Sequence, residues 1–76
     1  MNRGMDSSSG NQLVGSIGHL SMRIPGPGRP GEVLLSVRGG SEPFIAYSDE
    51  AVPAGSQVLV VASRPGRVVD VTAFAG

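Results

Sequence analysis

The sequence predicts a small all-β domain, and three observations carry that expectation. Glycine and proline recur so regularly that the longest stretches free of both are nine residues, at 44–52, 56–64 and 67–75. Ten valines and three isoleucines supply β-branched side chains, which are stiff at χ1 and pack well on a pleated surface. Between the turns, apolar and polar residues alternate with period two, the spacing of a strand with one buried face.

Five strands follow in order. In Gly15–Ile24, the residues Gly18, Leu20, Met22 and Ile24 share the inward face, and His19, Ser21 and Arg23 point out. In Glu32–Arg38, Val33, Leu35 and Val37 point in. Phe44–Ser48 is shorter, with Phe44 and Ala46 on one side and Ile45 and Tyr47 on the other. Gln57–Ala62 is apolar almost throughout, which predicts the most central strand. Val68–Thr72 completes the set, with Val69 and Val71 in and Asp70 out. The connectors carry matching turn chemistry. Gly39-Gly40 supplies two residues that tolerate positive φ for a tight hairpin. Val52-Pro53-Ala54-Gly55 and Arg64-Pro65-Gly66 place a proline ahead of a glycine. Five short strands joined this way predict a small barrel or an open β-roll. Residues 1–12, which begin MNRGMDSSSGN, are small and polar without periodicity and read as a flexible tail, leaving 13–74 for the fold.

Composition narrows function. Six arginines balance six acids and there is no lysine, so the basic excess of a protein built to grip phosphate backbones is missing. There is no cysteine for a disulfide or thiolate site. No apolar run approaches the roughly 20 residues of a membrane helix, so the chain as given reads as soluble. His19 is the single histidine and belongs to an outward strand face. Asp49 and Glu50 are adjacent and point apart, suiting a solvated turn or the cap of a short helical turn before Pro53. No nucleophile, base and orienting group assemble, so no enzyme, cofactor or metal is expected.

Gly26-Pro27-Gly28-Arg29-Pro30-Gly31 fits G-x-G-x-x-G, but prolines interrupt it and a strand follows where a dinucleotide loop must open a helix. The same stretch contains P-x-x-P, a polyproline-ligand pattern, and reads more simply as a stiff surface loop. Leu34 falls on the polar face of its strand, and Val52 is also a candidate exposed apolar residue. A single-strand nucleic-acid barrel would draw on Arg23, Arg29 and Arg38 with Phe44 or Tyr47 as stacking platforms.

Taken in order, Gly15-Ser16-Ile17-Gly18, Arg29-Pro30-Gly31-Glu32-Val33, Phe44-Ile45-Ala46 followed by Tyr47-Ser48-Asp49-Glu50, Val52-Pro53-Ala54-Gly55, Val58-Leu59-Val60-Val61 and Gly66-Arg67-Val68-Val69-Asp70-Val71 make the chain resemble the C-terminal soluble domain of NfeD proteins over about residues 14–72. The Pro25-Gly26-Pro27-Gly28 stretch departs from that pattern and lengthens the first connector. The resemblance implies a five-stranded closed barrel of the oligonucleotide/oligosaccharide-binding (OB) type. It implies a non-catalytic protein-interaction module working beside stomatin-like (SPFH) membrane scaffold proteins, as a cytoplasmic protein or the soluble domain of a membrane-anchored one. Self-association is a further option. The residues expected to meet a partner are Leu34, Tyr47, Arg29 and Arg38, with nucleic-acid binding as the alternative.

Overall fold

A computed structural model describes residues 13–74; the flexible tail expected at 1–12 lies outside the described residues. Five strands, β1 (Ile17–Met22), β2 (Gly31–Val37), β3 (Gly40–Tyr47), β4 (Gln57–Arg64) and β5 (Val68–Ala73), close into a barrel in the order β1-β2-β3-β5-β4. All neighbours are antiparallel except β3 and β5, which run parallel over three pairs from Ile45↔Val68 to Tyr47↔Asp70. The all-β expectation and the closed barrel both hold. Closure leaves no strand central, so the expectation that the β4 segment is the innermost strand does not hold: it pairs with β1 and β5 and exposes Val61.

The interior is filled by inward residues of the first, second and fifth strands, by the Phe44–Ala46 face of the third and by two valines of the apolar fourth. Leu20, Val33, Leu35, Phe44, Ala46, Val58, Val60, Val69 and Val71 are buried, joined by Ile24 and Val52. Val37 packs at the edge of this cluster and is only partly buried. Val52 is 3% exposed, so the expectation of an exposed valine is corrected. Ile24 and Val52 exchange backbone hydrogen bonds of 2.9 Å in both directions outside the named strands. That bridge ties the chain on either side of the barrel mouth and carries both side chains inward as its plug.

Met22 is the other correction. It is 60% exposed, because β1 carries a bulge between Leu20 and Met22. Leu20 pairs with Val33 and Met22 with Glu32, adjacent residues of β2, so Ser21 is the extra residue. An inserted residue turns the next side chain to the opposite face. A second bulge, between Val60 and Ala62, has Val61 as its extra residue, and Val61 is outward by plain alternation after Val58 and Val60. Both increase the local bend that a five-stranded barrel needs.

β3 begins at Gly40, four residues before the expected Phe44, and includes Pro43. Proline cannot donate to a ladder, and it is tolerated here because β3 has only β2 as partner at that level; the β5 ladder starts at Ile45. The β2–β3 hairpin closes at Val37↔Gly40, so its turn residues are Arg38 and Gly39, one position earlier than expected. Both have positive φ, 51° and 82°, the combination of a type I′ turn. Arginine is costly in this conformation where asparagine is favoured. Arg38→Asn is therefore expected to raise stability by about 0.5–1 kcal/mol, read as a higher urea midpoint at unchanged m-value.

Gly31 is fixed by space and not by φ. A Cβ there would lie 2.4 Å from the carbonyl oxygens of both Met22 and Arg23, so the connector folds back onto the start of β2. Gly28 takes φ +76° in a turn closed by Arg29 N–H donating to the Gly26 carbonyl at 3.1 Å. The G-x-G-x-x-G stretch is thus a proline–glycine turn running into a strand.

Candidate interaction surface

The outward residues of β1, β2 and β3 form one wall. Met22 pairs with Glu32 and Glu32 with Ile45; one register step away, His19 pairs with Leu34 and Leu34 with Pro43. Facing residues in a ladder sit about 5 Å apart and diagonal ones about 7–8 Å, so Met22, Leu34, Pro43 and Ile45 are contiguous. Leu34 is 40% and Ile45 44% exposed. Alternation along β3 continues this stripe from Pro43 through Ile45 to Tyr47. Glu32 is the one carboxylate within it, accepting a hydrogen bond from Ser21 Oγ at 2.7 Å.

Tyr47 ends the stripe and is half-buried. Arg64 lies over its ring at 5.0 Å from the centroid and pairs with Asp70 through two hydrogen bonds, one from Nε to Oδ2 at 3.0 Å. The bonds to Asp70 hold the Arg64 guanidinium above its ordinary pKa. Tyr47, Arg64 and Asp70 line a groove of about 400 Å³ with Pro27, Gly28 and Val61, which brings the proline–glycine turn to this end of the wall. Arg29 follows in that turn.

The expected partner residues therefore separate. Leu34 and Tyr47 belong to one stripe and Arg29 stands near its Tyr47 end. Arg38 caps the far end of β2, on the order of 25–30 Å of extended chain from Arg29, beside a hollow lined with Glu42 and Arg67. Arg23, Arg29 and Arg38 do not form a single basic patch: Arg23 and Arg29 share one groove and Arg38 borders another. Phe44 is buried within the barrel with Arg67 5.0 Å over its ring, and Arg67 pairs with Glu42. Phe44, inside the barrel, is no stacking platform, and one face of the Tyr47 ring is taken by Arg64.

Sequence reasoning missed Met22, Ile45 and Pro43 as surface residues. Ile45 was legible, since it alternates outward with Tyr47; the Met22 bulge had no signal. Asp49 and Glu50 start no helical turn. Instead the Ser48 hydroxyl accepts a hydrogen bond from the Glu50 N–H at 3.3 Å. Among the described residues, no three histidine, cysteine or acidic side chains gather as a metal site, and no helix is long and apolar enough to cross a membrane.

The sequence matches the family profile of the NfeD C-terminal domain over residues 17–72, all five strands but for the last residue of β5. The chain belongs to the NfeD C-terminal domain family. Among solved structures, it is similar to the soluble domain of the NfeD protein YuaF from Bacillus subtilis, with 26% identity, a TM-score of 0.68 and coverage of 95% of this chain and 94% of that one. It is similar in fold to the C-terminal domain of stomatin operon partner protein 1510-C from Pyrococcus horikoshii, with 23% identity, a TM-score of 0.66 and coverage of 88% and 95%. A sequence search of curated proteins finds no match. The interior of this NfeD C-terminal domain is filled by side chains, so a ligand meets the outside of the barrel.

Proposed function

We propose that residues 13–74 form a non-catalytic protein-interaction module that helps assemble or regulate a membrane-associated complex built on a stomatin/SPFH-type scaffold protein. The observation that carries this reading is the contiguous stripe of Met22, Leu34, Pro43 and Ile45 on the outside of a closed barrel. Isolated exposed apolar residues are ordinary, but adjacent ones ringed by polar groups are the usual mark of a protein contact. The printed name of the Pyrococcus domain, a stomatin operon partner protein, supports the choice of partner. Leu34 and Ile45 would be the central contacts, with Tyr47 and Arg29 at one rim. Arg38 would contribute only to a partner large enough to span the length of β2. The strand order supports counting the barrel with the OB type, which hosts protein as well as nucleic-acid ligands; the burial of Phe44 and the zero net charge favour protein.

The test is direct binding of the purified chain to a stomatin-type membrane protein reconstituted in vesicles. Saturable binding that single-stranded oligonucleotide does not displace is expected. Absence of binding at high micromolar chain, with salt-sensitive binding to the oligonucleotide instead, would replace this reading with the nucleic-acid one.

A further inference from the structure

A second surface lies at the barrel mouth, beside the apolar wall. The connector between β1 and β2 and the segment before β4 face each other across a groove of about 440 Å³ lined with Arg23, Ile24, Pro25, Arg29, Val52 and Pro53. Its floor is the Ile24–Val52 bridge, whose backbone groups already satisfy each other. Recognition there must therefore come from side chains.

The charges at its edges set it apart. Of the five arginines among the described residues, Arg64 pairs with Asp70 and Arg67 with Glu42, each also lying over an aromatic ring, and Arg38 has no ion pair but stands alone at the far end of β2. Arg23 and Arg29, the pair at this groove, are exposed and have no carboxylate within ion-pair distance among the described residues. Two guanidiniums without an ion pair among the described residues thus flank a strip whose accessible apolar surface is that of Pro25 and Pro53. The walls are also stiff: Pro25 and Pro53 have fixed φ, and the Gly26–Arg29 turn holds Arg29 in place. Preorganisation of this kind lowers the ordering cost of binding.

From this we infer that the mouth groove is a docking site for an acidic peptide segment of a partner protein, one that carries carboxylates beside an aliphatic side chain. Guanidiniums take carboxylates in charge-assisted, often bidentate, hydrogen bonds, and the strip between Pro25 and Pro53 takes the aliphatic group. A nucleic acid is the poorer fit, because the groove holds no aromatic ring for a base to stack on. A membrane surface is also poorer, because two arginines fall short of the basic clusters that anionic lipid requires. The groove shares Arg29 with the rim of the wall but none of the wall's apolar residues, and its recognition chemistry does not require a stomatin-type partner.

The test is amide-resolved NMR of the isotope-labelled 76-residue chain, titrated with a short peptide alternating glutamate and leucine. Shifts concentrated at the amides of Arg23, Ile24, Arg29, Ala51 and Val52 are expected. The double variant Arg23→Gln/Arg29→Gln, whose changed side chains are exposed, should weaken the peptide at least tenfold with the spectrum otherwise preserved. Leu34→Glu should leave it unchanged. The proposal is overturned if the groove amides do not move, or if a lysine–leucine peptide moves them equally. It is also overturned if the double variant binds as well as the parent. Tighter binding of an oligothymidine or of phosphatidylserine vesicles at the same amides would reassign the groove to those ligands. Concentration-dependent shifts there without any ligand would reassign it to a second copy of the chain.

Discussion

Replacing Gly31 with alanine is expected to unfold most of the barrel's stability margin. The added methyl would stand 2.4 Å from two backbone carbonyl oxygens, those of Met22 and Arg23, and a backbone atom cannot move aside as a side-chain tip can. Overpacking usually costs about 1–3 kcal/mol, and this contact belongs at the upper end, about 3 kcal/mol. A domain of this size holds only about 5 kcal/mol in all, so the melting temperature should fall by roughly 12–24 °C. Gly40→Ala is the matched control. Its new methyl would meet nothing closer than 3.8 Å, so it should stay within about 0.5 kcal/mol of the parent. A Gly31→Ala chain that melts with the parent would mean that the connector does not fold back onto β2 as described.

Val52→Asp is expected to be at least as damaging. If Val52 were on the surface, the change would be nearly silent, within about 0.5 kcal/mol. In the barrel plug it removes a buried side chain and leaves an unpaired carboxyl among Ile24 and its neighbours, at a cost of about 4 kcal/mol or more. The pH dependence gives a second signature. Burial raises the folded-state pKa of the introduced carboxyl above its unfolded value near 4, so the folded state holds the proton more tightly. The penalty is smallest below about pH 4 and grows as the pH rises above it. Urea unfolding at pH 3.5 and pH 7, each against the parent at the same pH, separates this from simple loss of packing.

These two sites also mark where the fold was legible and where it was not. Leu20, Val33, Leu35, Val69 and Val71 were readable as interior residues because alternation holds up to them, whereas the β4 segment, apolar almost throughout, gave no way to tell Val58 and Val60 from Val61. Alternation fails where a residue is inserted. One extra residue at Ser21 turned Met22 outward, and nothing in the local composition announces a bulge. Val52 lies between Ala51 and Pro53 in a segment without period, so its burial depends entirely on the pairing with Ile24, nearly thirty positions away. The hairpin turn slipped by one because Gly39-Gly40 looks ideal locally, while the β2–β3 register places Arg38 in the turn instead.

The candidate site followed the same logic. Leu34 was visible because it breaks the polar face of an otherwise regular strand. Its neighbours Pro43 and Met22 were invisible until ladder registers set them side by side. The arginines were the least legible, since sequence distance says nothing about which carboxylate or ring each will meet. Arg64 and Arg67 are committed to Asp70, Tyr47, Glu42 and Phe44, and only the folded barrel reveals that Arg23 and Arg29 share one groove without an ion pair among the described residues.

The claim most in need of testing is that the β1–β2–β3 wall is the surface this NfeD C-terminal domain offers to a stomatin-type scaffold. The decisive measurement compares the parent chain with the Leu34→Glu/Ile45→Glu double variant for binding to the reconstituted scaffold protein. Both changes are at exposed positions, so the variant should melt near the parent. Its affinity should fall by about thirtyfold or more, the loss expected when central interface residues are removed. A folded variant that binds the scaffold as tightly as the parent would contradict the account and move the contact to another face of the barrel.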